Sequence, residues 1–443
     1  MRQWFQGGLV AGMVLLAAAP AARAAVDVEL LLDKLVQKQV LTREEANELR
    51  TEMAEYKDAN TQQLAKEVVP KWVQSLTLSG DVRLRQENFW RDPVTQNTST
   101  TDPASNSTHT RQRQRMRLRF GAKAKVNDQV EAGLRFSTGT ALDPVSINQT
   151  MQNTFDKKAL FVDQAYVKLS TAGTEWAQTL PATVWGGKFE SPFYSTGLVW
   201  DPDVTFEGTA VSVTPKWGPT DWFLTSGVFP IDEIATKGGD PVLYAGQVGT
   251  NWIVWPAQPG EWLSGLSLKG GLAYYDYANM ENTVDTFTNQ LGNTGTYSGG
   301  TAPSFTLFRP ANDFNELDLL AEANTQLWGQ PLKLHADYVK NTAVADNDKG
   351  FQLGAKLGKA ERPGAWELAY YFQRLEPDAV FGLFADSDFG EGGTNRWGNV
   401  YSASIGTLKN SLLKSTLFVT NEVTGPTEDR AITRLQVDWV TKF

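Results

Sequence analysis

The alternation of arginine with other residues between positions 111 and 120 constrains the fold more than any other feature of this chain. The segment reads RQRQRMRLRF, with arginine at every second position. A repeat of two is that of a β-strand, whose successive side chains point to opposite faces. Five charges cannot face a dry core unpaired, because burying them costs too much. One face of this strand therefore meets water, and the other meets an apolar environment with Met116, Leu118 and Phe120.

Composition limits what such an arginine row can serve. The formal net charge is -9, which argues against a nucleic-acid partner. There is no cysteine, which excludes disulfides, thiolate metal sites and thiol nucleophiles. The two histidines, His109 and His335, are too few for a multi-histidine metal centre, and neither has a catalytic partner pattern. We therefore expect no enzymatic activity, no metal and no cofactor.

The N-terminus has the pattern of a secretory signal. Arg2 precedes a short apolar stretch that ends in the small-residue site Ala22-Arg23-Ala24, and this predicts a signal peptide over residues 1–24. A membrane anchor is the alternative. Beyond residue 24 no segment reaches the roughly 18 consecutive apolar residues that a spanning helix needs.

Residues 25–70 have helical periodicity. Thr42 and Glu45 form a capping box before a second helix, in which Ala46, Leu49, Met53 and Tyr56 are spaced like a coiled-coil seam. The seam either pairs subunits or packs on its own chain, and the sequence does not decide between the two.

From residue 71 to 443 the pattern changes to segments of about ten residues with alternating polarity. Such segments are the signature of a membrane β-barrel. We count about sixteen of them, near 75–90, 111–126, 129–140, 159–170, 182–190, 207–215, 220–230, 241–255, 263–277, 312–326, 330–341, 349–358, 365–376, 397–408, 411–421 and 429–443.

The connections between these segments support an all-β membrane barrel of about 16 antiparallel strands. Connections after even-numbered segments are mostly short, such as NDQ and WGQ, whereas those after odd-numbered segments are mostly long and polar. Outer-membrane barrels have short periplasmic turns and longer external loops, and a soluble sandwich has no reason for this parity. The last segment, LQVDWVTKF, places Trp439 and Phe443 on one face. Its terminal phenylalanine resembles the signal that the bacterial barrel-assembly machinery recognises.

Several stretches carry a family resemblance. They are RQRMRLRFGAKAKVNDQVEAGLRFSTG, FVDQAYVKLS, GGKFESPFYSTGLVWDPDVTFEGTAV, LTREEANEL and the terminal DWVTKF. These stretches resemble a family of bacterial putative porins that carry a short helical segment before the barrel. The resemblance implies an outer-membrane channel with residues 25–70 in the periplasm, and it does not fix a substrate.

Three neighbouring strands are predicted to form a basic pore wall. A sixteen-stranded barrel is wide enough for an aqueous channel, and arginine and lysine suit pores that guide anions. Alternatively, these side chains only keep the lumen polar and have no role in guiding anions. The predicted wall consists of Arg83, Arg85, Arg111, Arg113, Arg115, Arg117, Arg119, Lys123 and Arg135.

The third external connection, residues 191–206, is the predicted constriction loop. It is rich in aromatic residues and contains Trp200, Asp201 and Asp203, with Glu207 just beyond. We expect it to fold into the lumen and face the arginines, because its position and composition are similar to those of the third loop of general porins. Alternatively, the aspartates cap turns around Pro202 or bind calcium at the rim.

These observations predict a water-filled diffusion channel for small polar solutes or ions. A substrate-specific channel for anions or sugars is one alternative. A barrel that sheathes a partner, such as an electron-transfer protein, is another. The expected partners are outer-membrane lipid, the barrel-assembly machinery and further copies of the chain, as in a trimer, with no nucleic acid.

Overall fold

A computed structural model describes the barrel region of the chain. The described residues are 37, 49, 73–91, 110–217, 220–235, 238–258, 260–281, 291–298, 307–425 and 431–443. The predicted signal peptide and the Ala46–Leu49–Met53–Tyr56 seam lie outside them, apart from the single position 49. Among the described residues, no helix combines the length and the hydropathy needed to cross a membrane.

Sixteen antiparallel strands form the barrel, as the period-two segments predict. They are β1 (Ser75–Arg91), β2 (Arg111–Lys125), β3 (Val130–Thr138), β4 (Leu160–Ser170), β5 (Ala182–Glu190), β6 (Thr205–Val213), β7 (Thr220–Pro230), β8 (Val242–Trp255), β9 (Leu263–Ala278), β10 (Phe314–Leu327), β11 (Gln330–Asn341), β12 (Lys349–Gly358), β13 (Trp366–Leu375), β14 (Arg396–Leu408), β15 (Ser411–Glu422) and β16 (Ile432–Lys442).

The sheet closes on itself through its first and last strands. β1 pairs with β2 on one side and with β16 on the other, in a register that sets Arg91 opposite Ile432 and Asp81 opposite Lys442. Beyond β16, Phe443 and Gly80 exchange two backbone hydrogen bonds of 2.9 and 3.0 Å. Closure leaves no unpaired sheet edge, which is what a lipid environment requires of strands.

Short elements complete the sheet and its connections. A four-residue helix, Trp176–Thr179, lies between β4 and β5, and two 3-10 turns, Gly382–Phe384 and Phe389–Glu391, lie between β13 and β14. The two-residue strand Gln149–Thr150 pairs with Arg115 and Met116 of β2, because β3 is short and pairs only with residues 119–125 of that strand. Further short strands are Lys216–Trp217, Gly295–Ser298 and Leu307–Pro310.

The faces of β1 and β2 alternate as the sequence predicts. Leu76, Leu78, Leu84 and Phe120 are exposed on the outside, whereas Arg117 of the same sheet is buried. Apolar side chains outside and charged side chains inside are the reverse of a soluble protein. A barrel in lipid with a polar interior has this arrangement.

The described long connections lie at one end of the barrel, and three of them fold inward. We call residues 139–159 the second loop, residues 191–204 the third loop and residues 376–395 the seventh loop. The third and seventh loops contribute to one buried apolar cluster with inward residues of the strands, including Phe206, Phe229 and Tyr275. This packing fills part of the lumen with side chains.

Trp200 lies at the centre of that cluster. Its ring centroid is 4.6 Å from that of Phe206, 5.3 Å from that of Tyr275 and 5.5 Å from that of Phe384. Phe206 and Tyr275 belong to the wall, whereas Phe384 belongs to the seventh loop. Trp200 therefore joins the third and seventh loops to the barrel wall.

Candidate functional site: the arginine wall and its loops

The arginine wall is built from the inward faces of β16, β1 and β2. The register sets Arg83 opposite Arg117 and Arg85 opposite Arg115, so four guanidiniums form a block of like charge. Like charges directly opposite each other on a sheet repel and destabilise it. The block therefore needs carboxylates, and the structure supplies them from three directions.

The first group of carboxylates lies at the end of the block nearer the short turns. Asp81 of β1 accepts hydrogen bonds from Arg117 at 2.7 Å and from Arg119 at 2.5 Å. Asp203 of the third loop approaches the same two guanidiniums, at 3.8 and 4.0 Å. Asp203 is thus the acidic residue of the predicted constriction loop that meets the arginines.

The second group lies at the end nearer the long loops. Glu87, which has no exposed surface, accepts hydrogen bonds from Arg434 at 2.7 Å and from Arg113. Asp438 of β16 binds Arg85 with both of its oxygens, at 2.6 and 2.9 Å. Arg434 and Asp438 thus join the predicted wall, and the alternation in ITRLQVDWV is the signal that could have identified them.

The third source is Asp388, in the seventh loop. It accepts hydrogen bonds from Arg85 at 2.9 and 3.1 Å and from Arg434 at 2.8 Å. Burial opposes ionisation of Asp388, but Arg85 and Arg434 offset this and hold the pKa of the carboxyl well below its usual value. The sequence does not indicate this residue, because the loop that carries it has no period.

Arg83 and Arg115 differ from the other members of the block. Arg83 donates to the amide oxygen of Asn148 at 2.6 Å, and no carboxylate of the described residues lies within 4.0 Å of it. Arg115 donates to the backbone oxygen of Asn148 at 3.0 Å and to the Ser146 hydroxyl at 3.2 Å. The nearest carboxylate to Arg115 is that of Glu87, at 3.9 Å.

The remaining predicted wall residues lie away from this block. Arg111 is exposed near the loop end of β2, and Lys123 lies near the opposite end of the same strand. Arg135 of β3 is neutralised locally, at 2.5 Å from both Asp163 and Glu190.

Asp201 takes the turn-capping role that was the alternative to a constriction. It accepts hydrogen bonds from the backbone N–H groups of Asp203 at 2.7 Å and Ser387 at 2.8 Å, and only 4% of it is exposed. It therefore ties the third loop to the seventh loop and does not contact an arginine of the described residues. Burial, together with the negative charges of Asp386 and Asp203, raises the pKa of Asp201 well above its usual value.

The structure corrects the placement of Glu207. Phe206 points inward and is buried beneath the third loop. Because successive residues of a strand point to opposite faces, Glu207 lies on the outer face, as Val211 does. Its side chain is 67% exposed and lies 2.7 Å from Lys188 of β5. Glu207 thus does not face the arginine wall.

The surroundings of the two histidines can be described only for His335, since position 109 lies outside the described residues. His335 points into the barrel, and its Nε2 lies 2.7 Å from the amide oxygen of Gln352. This is a structural hydrogen bond between neighbouring strands, with no nucleophile in the pair.

Comparisons with known proteins agree with this architecture. The family model described as "Putative porin" matches residues 88–307 and 282–443. No curated protein matches the chain. Among solved structures, OprB of Pseudomonas putida is similar with a TM-score of 0.50 and 13% identity, over 83% of this chain and 94% of that one. OmpF of Salmonella typhi has a TM-score of 0.47 and 10% identity, over 85% of this chain and 99% of that one.

The family match spans most of the barrel, including the arginine-bearing β2 and the closing β16. The sixteen-stranded barrel is the fold that the structural similarity to OprB shows. The chain belongs to the bacterial putative porin family.

Proposed function

We propose that this porin is a water-filled outer-membrane channel for small polar solutes or ions, and that its basic wall favours anions. The observation that carries the proposal is a charge imbalance within the arginine wall. The wall contains seven arginines, at positions 83, 85, 113, 115, 117, 119 and 434. Within 4.0 Å of this group lie five carboxylates of the described residues, Asp81, Glu87, Asp203, Asp388 and Asp438. Two positive charges remain, and basic pore linings suit anions.

The parts of the chain beyond the lumen enter the same proposal. Residues 1–24 direct export, residues 25–70 lie in the periplasm and pair subunits, and Trp439 and Phe443 form the assembly signal. Further copies of the chain, as in a trimer, and the assembly machinery are the proposed protein partners.

The test is conductance of the purified protein in planar lipid bilayers. We expect steady ohmic openings and, in a potassium chloride gradient, a reversal potential that favours chloride. Silence would favour the sheath alternative, and openings that only one kind of solute blocks would favour a substrate-specific channel.

Two charge reversals locate the conducting path. Arg113→Glu and Arg115→Glu should each move the reversal potential toward cations, because each replaces a lumen cation with an anion. Arg374→Glu is the matched control, since Arg374 shares the outer face with Tyr370. If the two lumen variants behave like this control, the arginine wall does not line the path.

A further inference from the structure

We propose that Arg83 and Arg115, together with Asn148, form a subsite that binds a small oxyanion, a carboxylate or a phosphate, on its way through the lumen. The proposal deepens the proposed function and rests on it, because a solute must enter the lumen to reach this site.

The two arginines are neighbours with a shared partner. Arg83 lies opposite Arg117 and Arg115 lies opposite Arg85, so Arg83 and Arg115 are diagonal neighbours in the block. Both donate to Asn148 of the second loop, one to its side-chain oxygen and the other to its backbone oxygen. Asn148 thus lies at the point where the two guanidiniums converge.

These two guanidiniums are the ones left with neutral acceptors at hydrogen-bond distance. Arg85, Arg113, Arg117, Arg119 and Arg434 each donate to a carboxylate. Arg83 and Arg115 donate to an amide, a carbonyl and a hydroxyl. A hydrogen bond to an ionised acceptor is roughly twice as strong as one to a neutral acceptor. An oxyanion would therefore bind these two more strongly than the oxygens they now contact.

Both arginines also have donors without an acceptor. The Nε atoms of Arg83 and Arg115 are enclosed by the protein, and neither meets an acceptor among the described residues. An unsatisfied enclosed donor is costly, and an ion is one of the partners that can satisfy it. The planar guanidinium presents its donors in a fork that matches carboxylate and phosphate oxygens.

There is room for a solute beside Arg115. A cavity of about 470 Å³ opens between the second and seventh loops, and its lining includes Arg113, Arg115, Ser146 and Ser387, together with the carboxylates Asp143 and Glu391. Arg83 lies farther along β1 toward the short turns. An oxyanion from the loop end would meet Arg115 first and Arg83 next, with Asn148 between the two.

The sharpest test is Asn148→Asp. This change keeps the shape of the side chain and places a carboxylate where the amide oxygen lies, 2.6 Å from Arg83. The new carboxylate should neutralise the pair and occupy the subsite. We expect inorganic phosphate and acetate at millimolar concentration to reduce the chloride current of the wild type, and Asn148→Asp to weaken that block at least tenfold.

Asn88→Asp is the matched control for the change of charge. Asn88 lies on the outer face of β1, and its side-chain oxygen accepts a hydrogen bond from Gln86 at 3.0 Å, which a carboxylate also can do. This control should keep the wild-type block. A second pair, Arg83→Gln with Arg115→Gln, should abolish the block, whereas Arg374→Gln on the outer face should leave it.

Calorimetric titration of the detergent-solubilised protein with inorganic phosphate separates this inference from the channel function. Phosphate binding that Asn148→Asp removes supports the subsite, even for a protein that conducts no ions. Conduction without phosphate block, and without calorimetric binding, overturns the subsite and leaves the channel intact. Equal block in Asn148→Asp and Asn88→Asp overturns it as well.

Discussion

At the scale of single residues, Asp388 is the loop carboxylate with the closest contacts to the arginine wall. It lies between Arg85 and Arg434 at hydrogen-bond distance, whereas Asp203 approaches its arginines only to 3.8 and 4.0 Å. Because its contacts are shorter, the seventh loop neutralises more of the positive charge of the arginines than the third loop does. The loop carboxylates that neutralise the wall are therefore divided between two loops, and the closer contacts belong to the loop that the sequence did not indicate.

Asp388→Asn is expected to shift selectivity toward anions more than Asp203→Asn does. It removes a carboxylate from two buried arginines and leaves their positive charge uncompensated. Removing one partner of a buried pair costs on the order of 3 kcal/mol, so stability should fall as well. Reversal potentials and the midpoint of urea unfolding measure the two effects. Equal shifts in both variants would show that distance to the arginines does not decide selectivity.

At the scale of elements, the contact between the third and seventh loops depends on buried acids. Asp201 accepts a hydrogen bond from the Ser387 backbone, and the Asp386 backbone donates to the Gly197 carbonyl at 3.1 Å. Burial, with the negative charge of Asp388 beside it, raises the pKa of Asp386 from 3.8 to about 6. Ionised Asp386 is thus less favourable in the packed loop than in water.

The packing of the seventh loop should weaken as pH rises from about 4 to about 6. A carboxyl whose pKa is raised by folding stabilises the packed state while protonated, and that contribution is lost between its ordinary pKa and the raised one. The raised pKa of Asp201 acts in the same direction, whereas Asp388, whose pKa is lowered, acts in the opposite direction near pH 4, where an unpacked carboxyl is still partly protonated. Asp386→Asn should reduce the dependence.

Hydrogen exchange of residues 376–395, compared between wild type and Asp386→Asn at each pH, measures this effect. The wild-type loop should exchange faster relative to the variant at pH 7 than at pH 4. A constant ratio would mean that ionisation of Asp386 does not act on the loop.

The strands were predictable from the sequence, and the loops were only partly so. Each strand has two faces in opposite environments, so the period of two in stretches such as 111–120 marks its position directly. The third loop was recognisable by its aromatic content, and Asp203 lies beside the arginines. The roles of Asp201 and Asp388 depend on contacts between residues 46 to 303 positions apart, which no local pattern reports. Glu207 was misplaced because its orientation depends on the inward position of Phe206.

At the scale of the whole molecule, closure depends on the seam between β1 and β16. Phe443 exchanges backbone hydrogen bonds with Gly80, where an added Cβ atom would lie 2.5 Å from the Arg119 carbonyl oxygen and 2.6 Å from the Phe443 ring. Phe443 is therefore packed against the first strand, although 59% of its surface is exposed. This contact gives Phe443 a place in the closing seam, beside the assembly role proposed for it above.

Deletion of Phe443 separates those two roles. If the residue is an assembly signal, the yield of heat-modifiable barrel in cellular outer membranes should fall several-fold, while refolding of purified protein in detergent stays close to wild type. Gel migration with and without heating measures both yields. Equal losses in cells and in detergent would assign Phe443 to closure alone.

The aromatic packing of the third and seventh loops against one side of the lumen has a consequence for how such channels diversify. Strand number fixes the circumference of the barrel, but here loop side chains occupy part of the cross-section, with Trp200 linking them to the wall. The size cut-off for solutes is then adjustable by insertions and replacements in two segments that lie outside the sixteen strands. A change of the size cut-off requires no change of strand, register or lipid-facing surface. The barrel strands can therefore stay constant while the two loops change the size of solute that passes.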